Sequence, residues 1–233
     1  MGGYRSIDTN PLLIEDWLPI QELGIEARRE NSTGQHPPPN RLHVWWARRP
    51  LVVSRAAVLA SLLPAWRPDW PERLRQRFPT RDAYHAWVRW LLGIHGDPIA
   101  ARQRIAEADA HGKRLGADAY GYRRAFTFSP DQAALTELQE IFFDYWRADS
   151  ITVLDPTAGG GSIPLEALRL GLSVYANELN PVAALILAAT LDYPARFGDP
   201  LAEDIRYWGD RLLARVRAQL QQYFPIPDDG IPD

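Results

Sequence analysis

Apolar residues in this chain follow two patterns, some recurring at helical spacing and others in short unbroken runs. Near the N-terminus, Leu12, Leu13, Ile14, Trp17, Leu18 and Ile20 form an apolar patch ahead of the polar stretch NSTGQHPPPN. The prolines of that stretch predict a loop without regular helix. A helix is predicted from Pro50, which suits a first helical position, through LVVSRAAVLASLL to Pro64.

From Ala65 to Arg124 the composition shifts toward Arg, Asp, His and Trp. DAYHAWVRWLL predicts one helix there, and AARQRIAEADAHGKRLG a second that is amphipathic and exposed. Ser129 is then expected to cap a helix that starts at Pro130 and runs PDQAALTELQEIFFDYW. Ala134, Leu138, Ile141, Phe142 and Tyr145 share one face of it.

The next stretch changes period. ITVLD is a β-rich apolar run expected to be a buried strand, PTAGGG breaks it, and SIPLEALRL predicts a helix ended by Gly171. LSVYAN is a second strand, followed by Glu178 and by PVAALILAATL, a nearly all-apolar helix. Strand, glycine turn, helix, strand and helix are the start of a doubly wound sheet. A last helix from about 201 to 223 groups Ile205, Trp208, Leu212, Leu213 and Val216, and the tail PIPDDGIPD follows without a further strand. The fold class expected is therefore α/β, an incomplete Rossmann-like sheet with a mainly helical N-terminal region. Three parts are expected: 1–64, a helical Arg/Trp-rich insertion at 65–124, and a partial α/β domain at 125–233.

Composition narrows the chemistry. With 46% hydrophobic and 24% charged residues the chain can bury a core. Its formal net charge is only -3, so contact with nucleic acid would need a local basic patch. The absence of cysteine excludes disulfides, thiolate metal sites and a cysteine nucleophile within these residues. The five histidines are scattered, so no metal site is expected. The N-terminus has no signal-peptide pattern and no apolar window spans a bilayer, which makes a cytoplasmic protein the expectation.

The glycine turn DPTAGGGS, Asp155 to Ser162, is where chemistry concentrates. Glycines at 159, 160 and 161 let a ligand approach the backbone at the carboxyl edge of the sheet. The helix that follows offers free amides and a positive dipole end. Glu178, at the end of the second strand, is placed to accept ribose hydroxyls. The third glycine of G-x-G-x-x-G is replaced by Pro164, which argues against a nicotinamide cofactor. Ser162 stands where a P-loop needs Lys, and Asp155 would repel a pyrophosphate. The same acid suits the ammonium or sulfonium of S-adenosylmethionine, the expected cofactor. The alternative is a glycine-rich turn that binds nothing.

VLDPTAGGGSIPLEALRLG followed by VYANELNPVA resembles motifs I and II of the amino-methyltransferases acting on DNA adenine. RLHVWWARRPLVVSRAAVLASLL resembles the N-terminal signature of the domain of unknown function 1156 family, adenine-specific DNA methylases containing a zinc ribbon. The resemblance covers about 10–63 and 125–224 and implies an S-adenosylmethionine-dependent methyltransferase fold. It implies that Asp155, Gly159 and Gly161 line the methionine end, with Pro156, Ala158, Gly160 and Asn180 beside them. Glu178 would hold the ribose and Leu179 would pack on the adenine. Phe128–Pro130 resembles a motif that usually reads Tyr-Thr-Pro, with Ser129 in place of the threonine that contacts the cofactor carboxylate; a plain helix cap is the other reading of Ser129.

One departure outweighs these matches. Such enzymes activate the target amine with an Asn/Asp/Ser-Pro-Pro-aromatic tetrapeptide, and the sequence contains none. The cysteine-rich zinc ribbon is missing too. No catalytic residue is therefore assigned, and the expectation is a cofactor-binding part of a DNA adenine-N6 methyltransferase, inactive alone. Its partners would be DNA and a second polypeptide carrying the missing motifs. A non-catalytic nucleic-acid-binding or scaffold subunit, and an oxidoreductase, are the competing readings.

WWARRP adds a candidate contact. Arg48 and Arg49 precede a helix whose positive end disfavours each cation by about 0.3–1 kcal/mol unless an anion is near. A carboxylate of the cofactor or protein, or a nucleic-acid phosphate, would relieve this. Trp45 and Trp46 could stack on a base, or pack into the core.

Overall fold

The computed structural model describes residues 11–32, 36–115, 119–220 and 223. The first ten residues and the final PIPDDGIPD tail lie outside them. The chain divides into two compact units, Met1–Leu187 and Ala188–Asp233.

Among the described residues the first unit opens with seven α-helices, α1 (Leu13–Asp16), α2 (Ile20–Asn31), α3 (Pro38–Leu42), α4 (Leu51–Leu62), α5 (Glu72–Arg77), α6 (Arg81–Leu91) and α7 (Pro98–Ala110). It continues with α8 (Gln132–Trp146), β1 (Thr152–Asp155), α9 (Ser162–Arg169), β2 (Ser173–Ala176) and α10 (Pro181–Leu187). α4 is apolar on nearly every side, the pattern of a helix enclosed by protein. Leu51, Val52 and Leu59 are at most 1% exposed, each contributing about 1.5–3 kcal/mol by burial. α4 packs on α1, α2 and α9, and α9 in turn lies on β1 and β2.

β1 and β2 are parallel, with Thr152 opposite Ser173 and Asp155 opposite Ala176. Val153 and Val174 face the core. Leu154 and Tyr175, cross-strand partners on the other face, are 67% and 70% exposed. The expectation of a buried strand is thus corrected, since among the described residues one face of the pair is exposed and the other packs on α9. Among the described residues the sheet has two strands, so the structure is mixed α/β and mainly helical.

The 65–124 stretch shares the core of the rest of the unit. Trp70, Phe78 and Tyr84 pack edge-to-face, and Trp87 joins them in the same core as Val52 and Leu170. Tyr84 is fully buried and donates its hydroxyl to the Pro64 carbonyl at 2.9 Å. Three local expectations shift. The proline run contains the short α3, with prolines in its first turn where a missing N–H costs nothing. Pro50 is the residue before α4 rather than its first member. α8 is capped by Asp131, which accepts from Ala134 N at 2.9 Å, and Ser129 lies outside the cap.

Several segments are fastened by buried carboxylates on α2. Glu26 accepts from Arg29, the Tyr122 hydroxyl and the Ala125 amide. Glu30 accepts from Arg48 and from the amides of Leu51 and Val52, so it caps α4 from another helix. Deeper still, Arg55 of α4 donates to Glu166 of α9 at 2.5 Å, with both side chains fully buried. Its other donors reach the carbonyls of Leu92, Ala125 and Phe128.

His85 of α6 stacks on Trp17 with ring centroids 3.8 Å apart, and its Nε2 has no hydrogen-bond partner. Burial first, then the Arg81 charge, holds its pKa below the ordinary 6.5, against the pull of Asp16. A base with a lowered folded-state pKa leaves the fold most stable above 6.5 and weakens it as pH falls from 6.5 toward the folded value. The urea midpoint is therefore expected to drop between pH 7.5 and pH 5, and His85→Phe, which keeps the stack, should flatten that drop. Equal pH slopes in the two proteins would rule this out.

The second unit holds a π-helical turn (Ala188–Asp192), α11 (Tyr193–Phe197) and α12 (Asp199–Leu220). α12 forms about where the last helix is expected, and the apolar residues Ile205, Trp208, Leu212 and Leu213 that the sequence groups on it are exposed. No helix among the described residues is long and apolar enough to cross a membrane.

Candidate functional site

The site is built where β1 gives way to the glycine turn. Pro156 to Gly161 must reverse the chain within six residues, and Gly159 and Gly161 do so with φ of +53° and +78°. L side chains rarely adopt those values. Gly161 thereby occupies the cap position of α9, and its amide closes on the Ala158 carbonyl at 2.8 Å.

The ends of the two strands are zipped together. The Asn177 amide donates to Asp155 O, the Ala158 amide to Asn177 O, and the Asn177 side chain to Pro156 O. Glu178 then folds back over the turn. Its Oε2 accepts from the Gly159 amide at 2.7 Å, and its Oε1 from the amides of Leu179 and Asn180. These bonds to the charged form, that of Asn180 first and Gly159 next, hold the Glu178 carboxyl below its ordinary value. A carboxylate offers about four lone-pair positions, so three amides leave about one for a ligand hydroxyl.

Asp155 is half-buried at the same edge, with Oδ1 accepting from the Thr157 amide. Leu179 is 94% exposed directly after Glu178. Asn180 is a helix cap, accepting from the amides of Val182 and Ala183 at the start of α10. The Ser162 hydroxyl, at the first position of α9, is buried without a hydrogen-bond partner.

Trp45 lies against the turn. A Cβ added at Gly159 would come within 2.8 Å of the Trp45 indole nitrogen, and one at Gly160 within 3.0 Å of its Cβ. The glycines thus make room for an aromatic ring of the chain itself. Trp46 stacks on Trp45, with centroids 4.6 Å apart, and is 81% exposed.

The arginines of WWARRP divide. Arg48 meets Glu30 at 2.6 Å, and that carboxylate, which also caps α4, is the anion the sequence calls for at this helix end. Arg49 is exposed. Ser129 is not at the glycine turn's hydrogen bonds. Its hydroxyl accepts from Arg169, the last residue of α9, whereas the turn begins that helix. Sequence reasoning missed Asn177 as the bridge between the strand ends, since a lone Asn after a strand reads as an ordinary turn residue. Among the described residues no cluster of His, Asp or Glu could hold a metal ion.

A family model described as a protein of unknown function, DUF1156, matches residues 17–89. The match runs from α2 to α6, so it includes the start of the stretch set apart by its composition, and it stops well before the glycine turn. Comparisons with curated proteins and with solved structures find no match.

Proposed function

We propose that this chain is the S-adenosylmethionine-binding part of a methyltransferase related to the adenine-specific DNA methylases. The observation that carries the reading is the closure of the glycine turn on Glu178, 2.7 Å from Gly159 N, at the carboxyl edge of a parallel strand pair. That edge is where nucleotide-like ligands enter such sheets.

The residues present suit the cofactor in three respects. Asp155 and Glu178 make the edge acidic, which favours a sulfonium and an ammonium over a pyrophosphate. Glu178 keeps an acceptor position for a ribose hydroxyl, and Leu179 offers an exposed apolar side chain next to it. The Ser162 hydroxyl gives an orphaned polar group behind the turn, and a buried hydroxyl without a partner costs about 1–3 kcal/mol. In this reading Asp155, Gly159 and Gly161 hold the methionine end, and Trp45 forms the wall of the turn. DNA and adenine as the methyl acceptor rest on the resemblance of the sequence motifs alone.

Calorimetry tests the assignment. The purified chain is expected to bind S-adenosylmethionine or S-adenosylhomocysteine at micromolar to millimolar strength and NAD much more weakly. Tighter binding of NAD would overturn it. Glu178→Ala should weaken cofactor binding roughly ten- to a hundredfold, the effect of losing one charge-assisted bond. The same variant should loosen the turn at neutral pH. That difference from the parent protein should vanish in acid, because a depressed carboxylate stabilises only above its folded-state pKa. Unchanged affinity would place the ribose elsewhere.

A further inference from the structure

Between α2 and α7 the surface opens into a cleft of about 430 Å³, lined among others by Gly24, Arg28, Arg29, Arg102 and Tyr120. A second cleft of about 300 Å³ shares Arg29, Ser32, Ile105 and Tyr120 with it and extends to Arg114 and Arg124. Five arginines thus border the joined clefts, with Asp109 as the acid among the lining residues, in a chain whose net charge is -3.

Two of the five have structural work. Arg29 is nearly buried, pairs with Glu26, and lies over the Tyr120 ring with its guanidinium 3.8 Å from the centroid. Arg124 donates to the carbonyl of Arg29. Arg28, Arg102 and Arg114 are exposed, and among the described residues no ion pair engages them. The C-terminal end of α2 accounts for a cation at Arg28. Arg102 lies in the N-terminal half of α7, where the helix dipole gives a cation no advantage.

Gly24 adds an independent sign. Glycine is a poor helix former, yet it sits inside α2, and a Cβ there would meet nothing within 4 Å. Packing does not require it. What it does is widen the cleft that it lines.

We propose that this cleft binds single-stranded nucleic acid, with Arg28, Arg102 and Arg114 on backbone phosphates and a base stacked at Tyr120. Three cations distributed over two clefts that share lining residues suit a chain of phosphates better than one anion, and an aromatic ring suits an unpaired base. The inference rests on the cleft alone and stands or falls apart from the cofactor reading, because the binding it describes needs no cofactor.

The test is fluorescence anisotropy of a labelled single-stranded oligonucleotide with the full chain, without cofactor, at several salt concentrations. The triple reversal Arg28→Glu, Arg102→Glu, Arg114→Glu is expected to weaken binding at least tenfold and to flatten the log–log salt slope by about 2. Tyr120→Leu should weaken it roughly fivefold. A triple reversal of the same charge on α12, at Arg206, Arg215 and Arg217, should leave binding unchanged, and all variants are checked by thermal melting. The proposal fails if the parent protein does not bind, or if the native-like cleft variant binds like the parent. It fails equally if both reversals weaken binding alike, or if a mononucleotide competes as well as the unlabelled oligonucleotide.

Discussion

Glu166→Ala is expected to be the most damaging single substitution in this chain, lowering stability by about 3–5 kcal/mol. Against a typical total of about 5–15 kcal/mol, that leaves a marginal fold. The reason is geometric. Arg55 and Glu166 are fully buried, and Arg55 has no route to water if its partner is removed. The guanidinium would remain tied to the carbonyls of Leu92, Ala125 and Phe128 with its charge uncompensated. Arg169, which also pairs with Glu166 and holds the Phe126 and Phe128 carbonyls, would lose its anchor as well. The damage therefore reaches α4, α9 and the segment before α8 together. Removing both charges is a different case, since apolar replacements of a buried pair are often nearly neutral. The double variant Arg55→Met, Glu166→Leu should accordingly recover a large part of the loss. Urea unfolding of the parent, Glu166→Ala and the double variant decides the matter. A single-variant loss under about 1 kcal/mol would mean that the pair is a passenger.

That cluster also shows why part of the fold was illegible in the sequence. The β1–turn–α9–β2 unit could be read because each of its signals is local. Apolar runs mark the strands, Gly159 and Gly161 mark the reversal, and Gly171 ends the helix with φ of +75°. Glu178 could be placed against the turn because a βαβ unit returns its second strand beside the first. Glu26, Glu30, Arg55 and Glu166 carry no such signal. A charged residue in a helix reads as solvent-facing, and the partners here lie up to 111 positions away. The same blindness affected Arg48. The need for an anion at the start of α4 was visible, but that Glu30 supplies it depends on how α2 packs. Around residue 130 the capping side chain expected from the sequence was Ser129, and Asp131 lies two positions further on. The choice went to Asp131 because the helix begins at Gln132, a register that local sequence does not fix. Trp70 and Trp87 lie in arginine-rich surroundings that set the stretch apart by composition, and that composition gives no sign that their rings are core.

Methyl transfer gives the second large effect, and it is all or none. Moving a methyl group to an exocyclic amine requires the nitrogen lone pair to point at the sulfonium carbon while the amine's hydrogens are accepted within about 3 Å. In the enzymes that the sequence resembles, a polar side chain and a backbone carbonyl of the Asn/Asp/Ser-Pro-Pro-aromatic tetrapeptide accept them, and the aromatic holds the flipped base. No segment of the 233 residues has that order. HPPPN has the prolines, but no aromatic follows them, and it lies in the segment before α4 rather than at a strand end. Asp155 and Glu178 do not substitute. Both sit at the glycine turn, where the proposed reading gives them the cofactor, and Glu178 has about one acceptor position left. These residues alone are therefore expected to transfer no labelled methyl group to mixed-sequence DNA, even where calorimetry shows the cofactor bound. Incorporation into adenine should appear when a polypeptide bearing the tetrapeptide and the zinc ribbon is added, and Glu178→Ala should lower it in step with cofactor affinity. Robust methylation by the purified chain, free of host methylases, would mean that other residues position the amine and that the tetrapeptide is dispensable here.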